Sequence, residues 1–133
     1  MFRRLSLTAT AVVLGSTALA TTALTAPVLA ADPVKIGFIT TLSTPAGYIG
    51  EDLRDAFMLA VNQGGGKLGG VPVELVVEDD ALKPANAKQA ADRMIQSGIR
   101  LYTGVNFSNV LAAVVPGVTK AGYTYISSNP GPS

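Results

Sequence analysis

Residues 99–115 read IRLYTGVNFSNVLAAVV. The first five residues suit a short buried strand, and Gly104 ends them. From about Asn109 to Ala121 the apolar residues fall at helical spacing, with Pro116 removing one hydrogen bond inside the run. A strand that opens into a helix through a glycine is one β–α unit. The first N–H groups of such a helix have no partner within it and point outward from the strand end.

Upstream the same unit appears twice more. VKIGFIT (34–40) is β-rich, and the helix after it carries Leu53, Ala56, Phe57, Ala60 and Val61 on one face. Glu51 and Asp52 lie in its first turn, where the helix dipole favours negative charge, and Gly64 to Gly66 end it. VPVELVVEDD (71–80) is the next strand. Its helix repeats the spacing at Ala87, Ala90, Ala91, Met94 and Ile95, between Pro84 and Gly98. Downstream, YTYIS (123–127) reads as a last strand.

The order is βαβαβαβ with short connections, which predicts an α/β fold: a parallel sheet with helices on both faces. All strands then point one way, and their C-terminal ends share an edge. TTLSTPAGYIG, EDDALKP, TGVNFSN and SSNPGPS fall on that edge, polar and rich in Gly and Pro. GGGKLGG and AGY fall on the other and read as plain turns. Ligands of open α/β sheets bind outside the carboxyl ends of the strands.

The N-terminus differs in kind. MFRRLSLTATAVVLGSTALATTALTAPVLA has Arg3 and Arg4, an apolar Ala/Thr/Leu stretch, and small residues before Ala31. It reads as a secretory signal peptide, residues 1–30, of the general secretory type because Ser6 replaces the large apolar residue of a twin-arginine signal. Cleavage leaves 103 of the 133 residues, with 8 basic against 9 acidic side chains. That balance argues against nucleic acid as a partner. With no Cys, the chain has neither a disulfide nor a lipid-anchor residue, so a free periplasmic protein is expected. With no His or Cys, a His- or Cys-based nucleophilic triad and the usual zinc site are excluded, and neither cofactor nor metal is expected.

At the polar edge, phosphate chemistry finds no support: GGGKLGG follows a helix and lacks Ser or Thr after its Lys, and no G-x-G-x-x-G follows the first strand. Glu78, Asp79 and Asp80 are adjacent, so alternation along a strand keeps them from forming a matched acid/base pair, and loop capping is the plainer role. GVNFSNV offers helix N–H groups with the Ser108 hydroxyl, a ready anion site, although Ser108 or Asn109 serving only as N-cap is an equal alternative. Ser127, Ser128 and Asn129 from the last loop, and Thr41, Ser43 and Tyr48 from the first, with Phe107 among them, tip the reading toward binding a small carboxylate with an apolar or aromatic body. No nucleophile with an activating base accompanies them.

Taken in order, these segments resemble the type I periplasmic solute-binding proteins, nearest to the leucine/isoleucine/valine-binding components of ABC transporters, over essentially all of residues 32–133. The resemblance implies two α/β lobes that close on a ligand and deliver it to a membrane permease, with residues 31–133 forming the first part of lobe 1. It implies ligand contacts at Ser108, at Ser127, Ser128, Asn129 and Gly131, and at an aromatic of the first loop near Tyr48 or Ile49. The leucine-type binders carry Ser-Pro-Ala-Ala-Thr after the fourth strand, where this chain has SSNPGPS. The threonine that helps hold an ammonium group therefore falls at Gly131. Relatives with a Gly-Pro-Ser loop include binders of other small amphipathic acids, aromatic carboxylates among them.

The family's chains are two to three times longer, so a fragment or truncated reading frame is expected, with its last strand left as an edge. Two rivals remain open at this point. One is a small exported α/β enzyme using Asp79 or Asp80; the other is a folded remnant in which Ser108 and Asn109 merely cap a helix.

Overall fold

The computed structural model describes residues 32–129, so the expected signal peptide and Gly131 lie outside the described residues. β1 (Val34–Thr40), α1 (Tyr48–Gln63), β2 (Lys67–Leu68), β3 (Val71–Asp79), α2 (Pro84–Gln96), β4 (Leu101–Thr103), α3 (Ser108–Lys120) and β5 (Thr124–Tyr125) follow in order. One five-stranded sheet runs β2-β3-β1-β4-β5. The pairs β1–β3, β1–β4 and β4–β5 are parallel, as the repeated β–α units require.

Three elements differ from the sequence reading, the last strand YTYIS shortening to Thr124–Tyr125. GGGKLGG is not a plain turn: Lys67 and Leu68 fold back antiparallel on Val71 and Pro72, with Gly69 and Gly70 at positive φ between them. Such a two-residue turn matches the twist of a hairpin, and the pattern was hidden because the strand is only two residues long. IRLYT shortens to Leu101–Thr103. Its Ile99 belongs to the helix stop, where the Ile99 N–H bonds the Met94 carbonyl and the Gly98 N–H bonds that of Ile95.

Strand order explains the helix layers. The chain leaves β1 for β3 on one side, then crosses back past β1 to β4 and on to β5. Right-handed crossovers in opposite directions place their helices on opposite faces. Side chains follow that division by strict alternation along β1. Phe38 meets Phe57 of α1 with ring centroids 5.8 Å apart, whereas Ile39 joins Met94 of α2 and Val110, Leu111, Val114 and Val118 of α3 in the main core. The two faces are unequally covered. Over β4 and β5 on the α1 side, Ile126 stays 59% exposed, and α1 itself buries only Gly50 and Val61 completely. β5 forms one edge of the sheet, as expected.

α1 approaches the sheet closely because of Gly50. A Cβ there would lie 2.0 Å from the Thr41 carbonyl oxygen and 2.8 Å from Thr40 Oγ1. Backbone at that distance cannot rotate away, so the helix would have to retreat. Gly50→Ala is expected to cost more than about 2 kcal/mol, toward the upper end of overpacking substitutions; urea unfolding of the variant beside the parent measures it.

Candidate functional site at the strand ends

Between β1 and β4 the chain's direction across the sheet reverses, and the loops leaving the two strands part to opposite faces. That crevice is the place where open α/β sheets take their ligands. Residues 41–47 and 104–107 border it, with residues 126–129 beside them and residues 80–83 behind the first loop.

The second border is set by Gly104, whose φ of +100° and contact with the Phe38 ring leave no room for a side chain. Val105 is buried, and its N–H donates to Tyr125 Oη at 3.2 Å. Asn106 then meets Thr40 across the crevice, with Thr40 Oγ1 donating to Asn106 Oδ1 at 3.5 Å. Phe107 is half-buried against the core and occupies the N-cap position in extended conformation, with no side-chain cap.

Ser108 and Asn109 are therefore not the caps that one reading of the sequence allowed. Both are already helical, and the N–H groups of Val110 and Leu111 bond the Phe107 carbonyl instead. This frees the Ser108 hydroxyl to reach across and donate to Asn129 Oδ1 at 3.3 Å. Asn129 Nδ2 donates to the Asn106 carbonyl at 2.8 Å. Ser127 stiffens this loop in turn: its hydroxyl donates to the Asn129 carbonyl at 2.7 Å and accepts the Asn129 N–H at 3.1 Å. Of the residues singled out from sequence, Ser108, Ser127 and Asn129 are thus brought into one network, with Phe107 adjoining it and Ser128 exposed between Ser127 and Asn129. Tyr48 stands apart at the first turn of α1, 62% exposed.

Sequence reasoning missed Thr40, Asn106 and Tyr125 as parts of this edge. Asn106 lay inside the quoted GVNFSNV and was the available signal; the Thr40–Asn106 contact joins residues 66 apart and has none.

Behind the first loop the two aspartates divide their work. Asp79 Oδ1 accepts the N–H groups of Leu42 at 2.9 Å and Ala81 at 2.8 Å. Partial burial raises its pKa, but the Ser43 hydroxyl and the N–H groups of Leu42, Ala81 and Ser43 outweigh that and hold it below the usual carboxylate value. Asp80 is fully buried; its Oδ1 accepts the Thr41 hydroxyl at 2.5 Å and the Leu82 N–H at 2.7 Å. Burial pushes its pKa up, Thr41 and Leu82 oppose this, and the neighbouring Asp79 adds to the rise. These bonds hold Ala81 and Leu82 at φ of +49° and +59°, a backbone region non-glycine residues seldom enter. Loop capping is the role the structure gives both acids. Among the described residues no cluster of three or more His, Cys, Asp or Glu side chains could hold a metal ion.

The periplasmic binding protein family matches residues 33–133. The Leu/Ile/Val-binding protein BraC3 of Rhizobium johnstonii is 32% identical over 121 aligned positions, covering 76% of this chain and 32% of the relative. Among solved structures, an ABC transporter substrate-binding protein from Sphaerobacter thermophilus is 36% identical with a TM-score of 0.68, over 74% of this chain and 27% of that one. A solute-binding protein of an ABC transporter from R. palustris, in complex with benzoate, is 29% identical with a TM-score of 0.69, over 74% of this chain and 28% of that one. The chain thus spans about a third or less of the length of these relatives.

The Asp79 contacts predict a pH signature. A carboxylate held below its ordinary pKa stabilises the fold above the ordinary value of 3.8, and that contribution is lost as pH falls through the lowered one. Asp79→Ala is expected to cost about 1–2 kcal/mol at neutral pH and Asp79→Asn less, since an amide oxygen still accepts a loop N–H. Denaturant unfolding at pH 7 and pH 3 measures both, and the gap between parent and Asp79→Ala should narrow at the lower pH.

Proposed function

We propose a role that proceeds from one fact: this chain belongs to the periplasmic binding protein family of ABC transporters. In this reading, residues 31–133 form the N-terminal part of lobe 1 of a ligand-binding domain, exported behind the signal peptide of residues 1–30. The domain captures a small amphipathic carboxylate outside the cytoplasm and presents it to the permease of an ABC importer in the inner membrane. Closure of a second lobe over the strand ends would bury the ligand. Among the described residues no helix is long and apolar enough to cross a membrane.

The observation that carries this reading is the Ser108–Asn129–Asn106 network at the start of α3. The N–H groups of Ser108 and Asn109 precede the first N–H that bonds within this turn, that of Val110, and they lie on the crevice edge. Together with the Ser108 hydroxyl they offer a carboxylate several donors at the positive end of a helix. A ligand oxygen would take the Ser108 proton in place of Asn129 Oδ1, so the hydroxyl is held ready at no conformational cost. Phe107, adjoining the network, supplies apolar surface for the ligand's body, while Tyr48 stands apart at the start of α1.

Two ligand classes are supported by relatives, one named for leucine, isoleucine and valine and one holding benzoate. Gly131 stands where leucine-type binders place the threonine that meets an ammonium group. That substitution favours an aromatic or other non-amino carboxylate. Enzymatic use of Asp79 or Asp80 gains no support, because their carboxylates are engaged in holding loop N–H groups and the Thr41 hydroxyl.

Thermal unfolding with benzoate, 4-hydroxybenzoate, leucine and isoleucine tests the proposal. A ligand present at a hundred times its dissociation constant adds about 2.7 kcal/mol to a folded binder. Benzoates are expected to raise the midpoint more than the amino acids do, and Ser108→Ala to weaken that response by about 1 kcal/mol, the worth of one hydrogen bond. A midpoint indifferent to all four compounds overturns the proposal. Conversion of any of them, abolished by Asp79→Asn, would restore the enzyme reading.

A further inference from the structure

Among the described residues, the buried side-chain polar atoms without a hydrogen-bond partner are Asp80 Oδ2 and Asn106 Nδ2, and both stand at the strand ends. Each leaves a different chemistry unmet. Asp80 Oδ2 is an oxygen lacking a donor, so it offers nothing to an anion. Asn106 Nδ2 is the reverse, an amide nitrogen with two N–H donors and no acceptor. A carboxylate accepts on both of its oxygens, so it completes the second group and not the first.

The backbone sets that amide on the crevice. Phe107 is extended, with φ of −118° and ψ of 135°, and packs against the core. Successive side chains of an extended segment leave it on opposite sides, so Asn106 and Ser108, flanking Phe107, share the side away from the core. The contact with Thr40 puts the Asn106 amide between the end of β1 and the loop leaving β4. By the rise of an extended chain the two residues stand about 6.6 Å apart, a gap that one carboxylate accepting from both side chains can bridge.

The main chain here is firmly held and the side chain is not. The Asn106 carbonyl accepts Asn129 Nδ2 at 2.8 Å, and the Phe107 carbonyl accepts the Leu111 N–H at 2.9 Å. The Asn106 amide is met by Thr40 Oγ1 at 3.5 Å, the outer limit of a hydrogen bond. Asn129 spans Asn106 and Ser108, and its bond to the Ser108 hydroxyl is also long, 3.3 Å. The terminal torsion of an asparagine is broad and roughly two-fold. Asn106 as a whole is half-buried, so Nδ2 turns toward the mouth of the crevice at little cost once a ligand oxygen draws Ser108 from Asn129.

We propose that Asn106 is a ligand-contacting residue, its side-chain amide donating to the second oxygen of a carboxylate whose first oxygen is held at Ser108. The inference deepens the binding role proposed above and rests on it. A shielded N–H without an acceptor is a standing cost in the free chain, and a ligand that brings the acceptor relieves it. That relief adds to the affinity for a carboxylate and is absent for an apolar molecule of the same shape.

The test follows the side-chain amide pair of Asn106 by nitrogen–proton NMR in the purified chain, beside the backbone amides of Ser108 and Asn109. Benzoate, 4-hydroxybenzoate, leucine and isoleucine are titrated in turn. The Asn106 pair is expected to move downfield and to saturate at the same ligand concentration as the Ser108 amide. Affinity is expected to fall about tenfold or more in Asn106→Val, which removes a donor to a charged acceptor, and by clearly less in Asn106→Thr, a near-isostere of valine that keeps one. Equal losses in the two variants, tracking their unfolding midpoints, assign Asn106 a structural role and overturn the inference. Ser108 and Asn109 amides that saturate while the Asn106 pair stays in place overturn it too, and leave the binding role standing. Backbone and side-chain signals indifferent to all four compounds overturn both. Should a variant fail to fold, the parent's titration decides alone.

Discussion

Three hydrogen bonds tie the end of β1 to the end of β3. The Asp80 N–H donates to the Thr40 carbonyl, the Thr41 hydroxyl to Asp80 Oδ1, and the Leu42 N–H to Asp79 Oδ1. The ladder between these strands runs from Val34↔Val73 to Thr40↔Asp79. Beyond it the two chains must part, one toward α1 on one face and the other toward α2 on the opposite face. Without the clasp the ends would fray where the crevice begins. With it, the first loop leaves the sheet from a fixed point, and Gly50 lets α1 settle directly against that point. The crevice is a consequence of where the clasp stops.

What could be read from the sequence follows from the range of the interaction involved. β1 was legible to the residue, and α2 nearly so, because burial of one face imposes a period of two or 3.6 on neighbouring residues. The family likeness was legible for the same reason, resting on the order and spacing of such segments. The hairpin at Lys67–Leu68 was not, since two residues show no period. At the candidate site, Ser108, Ser127 and Asn129 could be singled out because each stands in a polar segment that follows a strand. Their connections were not foreseeable. The Ser108–Asn129 bond spans 21 residues and the Thr41–Asp80 bond 39, and no local pattern specifies which polar groups meet across a sheet edge. The role of Ser108 as an N-cap failed for a local reason: Phe107 takes the extended cap conformation, and the serine enters the helix.

Asp79 and Asp80 show how one dipeptide supplies two environments. Successive residues leave a strand in opposite directions. The first meets a fan of N–H groups from the loop, which favours its charge. The second is driven into the interior with two donors on one oxygen and none on the other, which disfavours it. Equal chemistry thus acquires opposite pKa shifts through alternation, and the charge of Asp79 adds to the rise at Asp80.

The crevice edge and the core are connected through the backs of the loops. Each loop borders the crevice and is pinned by polar groups behind or beside it: Thr41 by Asp80, Val105 by Tyr125, and Asn106 by both Thr40 and Asn129. Loops left free would have to be ordered at the moment of binding, at a cost of about 0.5–1.5 kcal/mol for each side chain immobilised. Here much of that ordering is done on folding, by bonds that do not involve the ligand. Such pinning also limits how the site can respond. A loop held at one residue pivots about it, so a change at a pin moves the groups that border the crevice together, and the interior polar contacts set the geometry of that border.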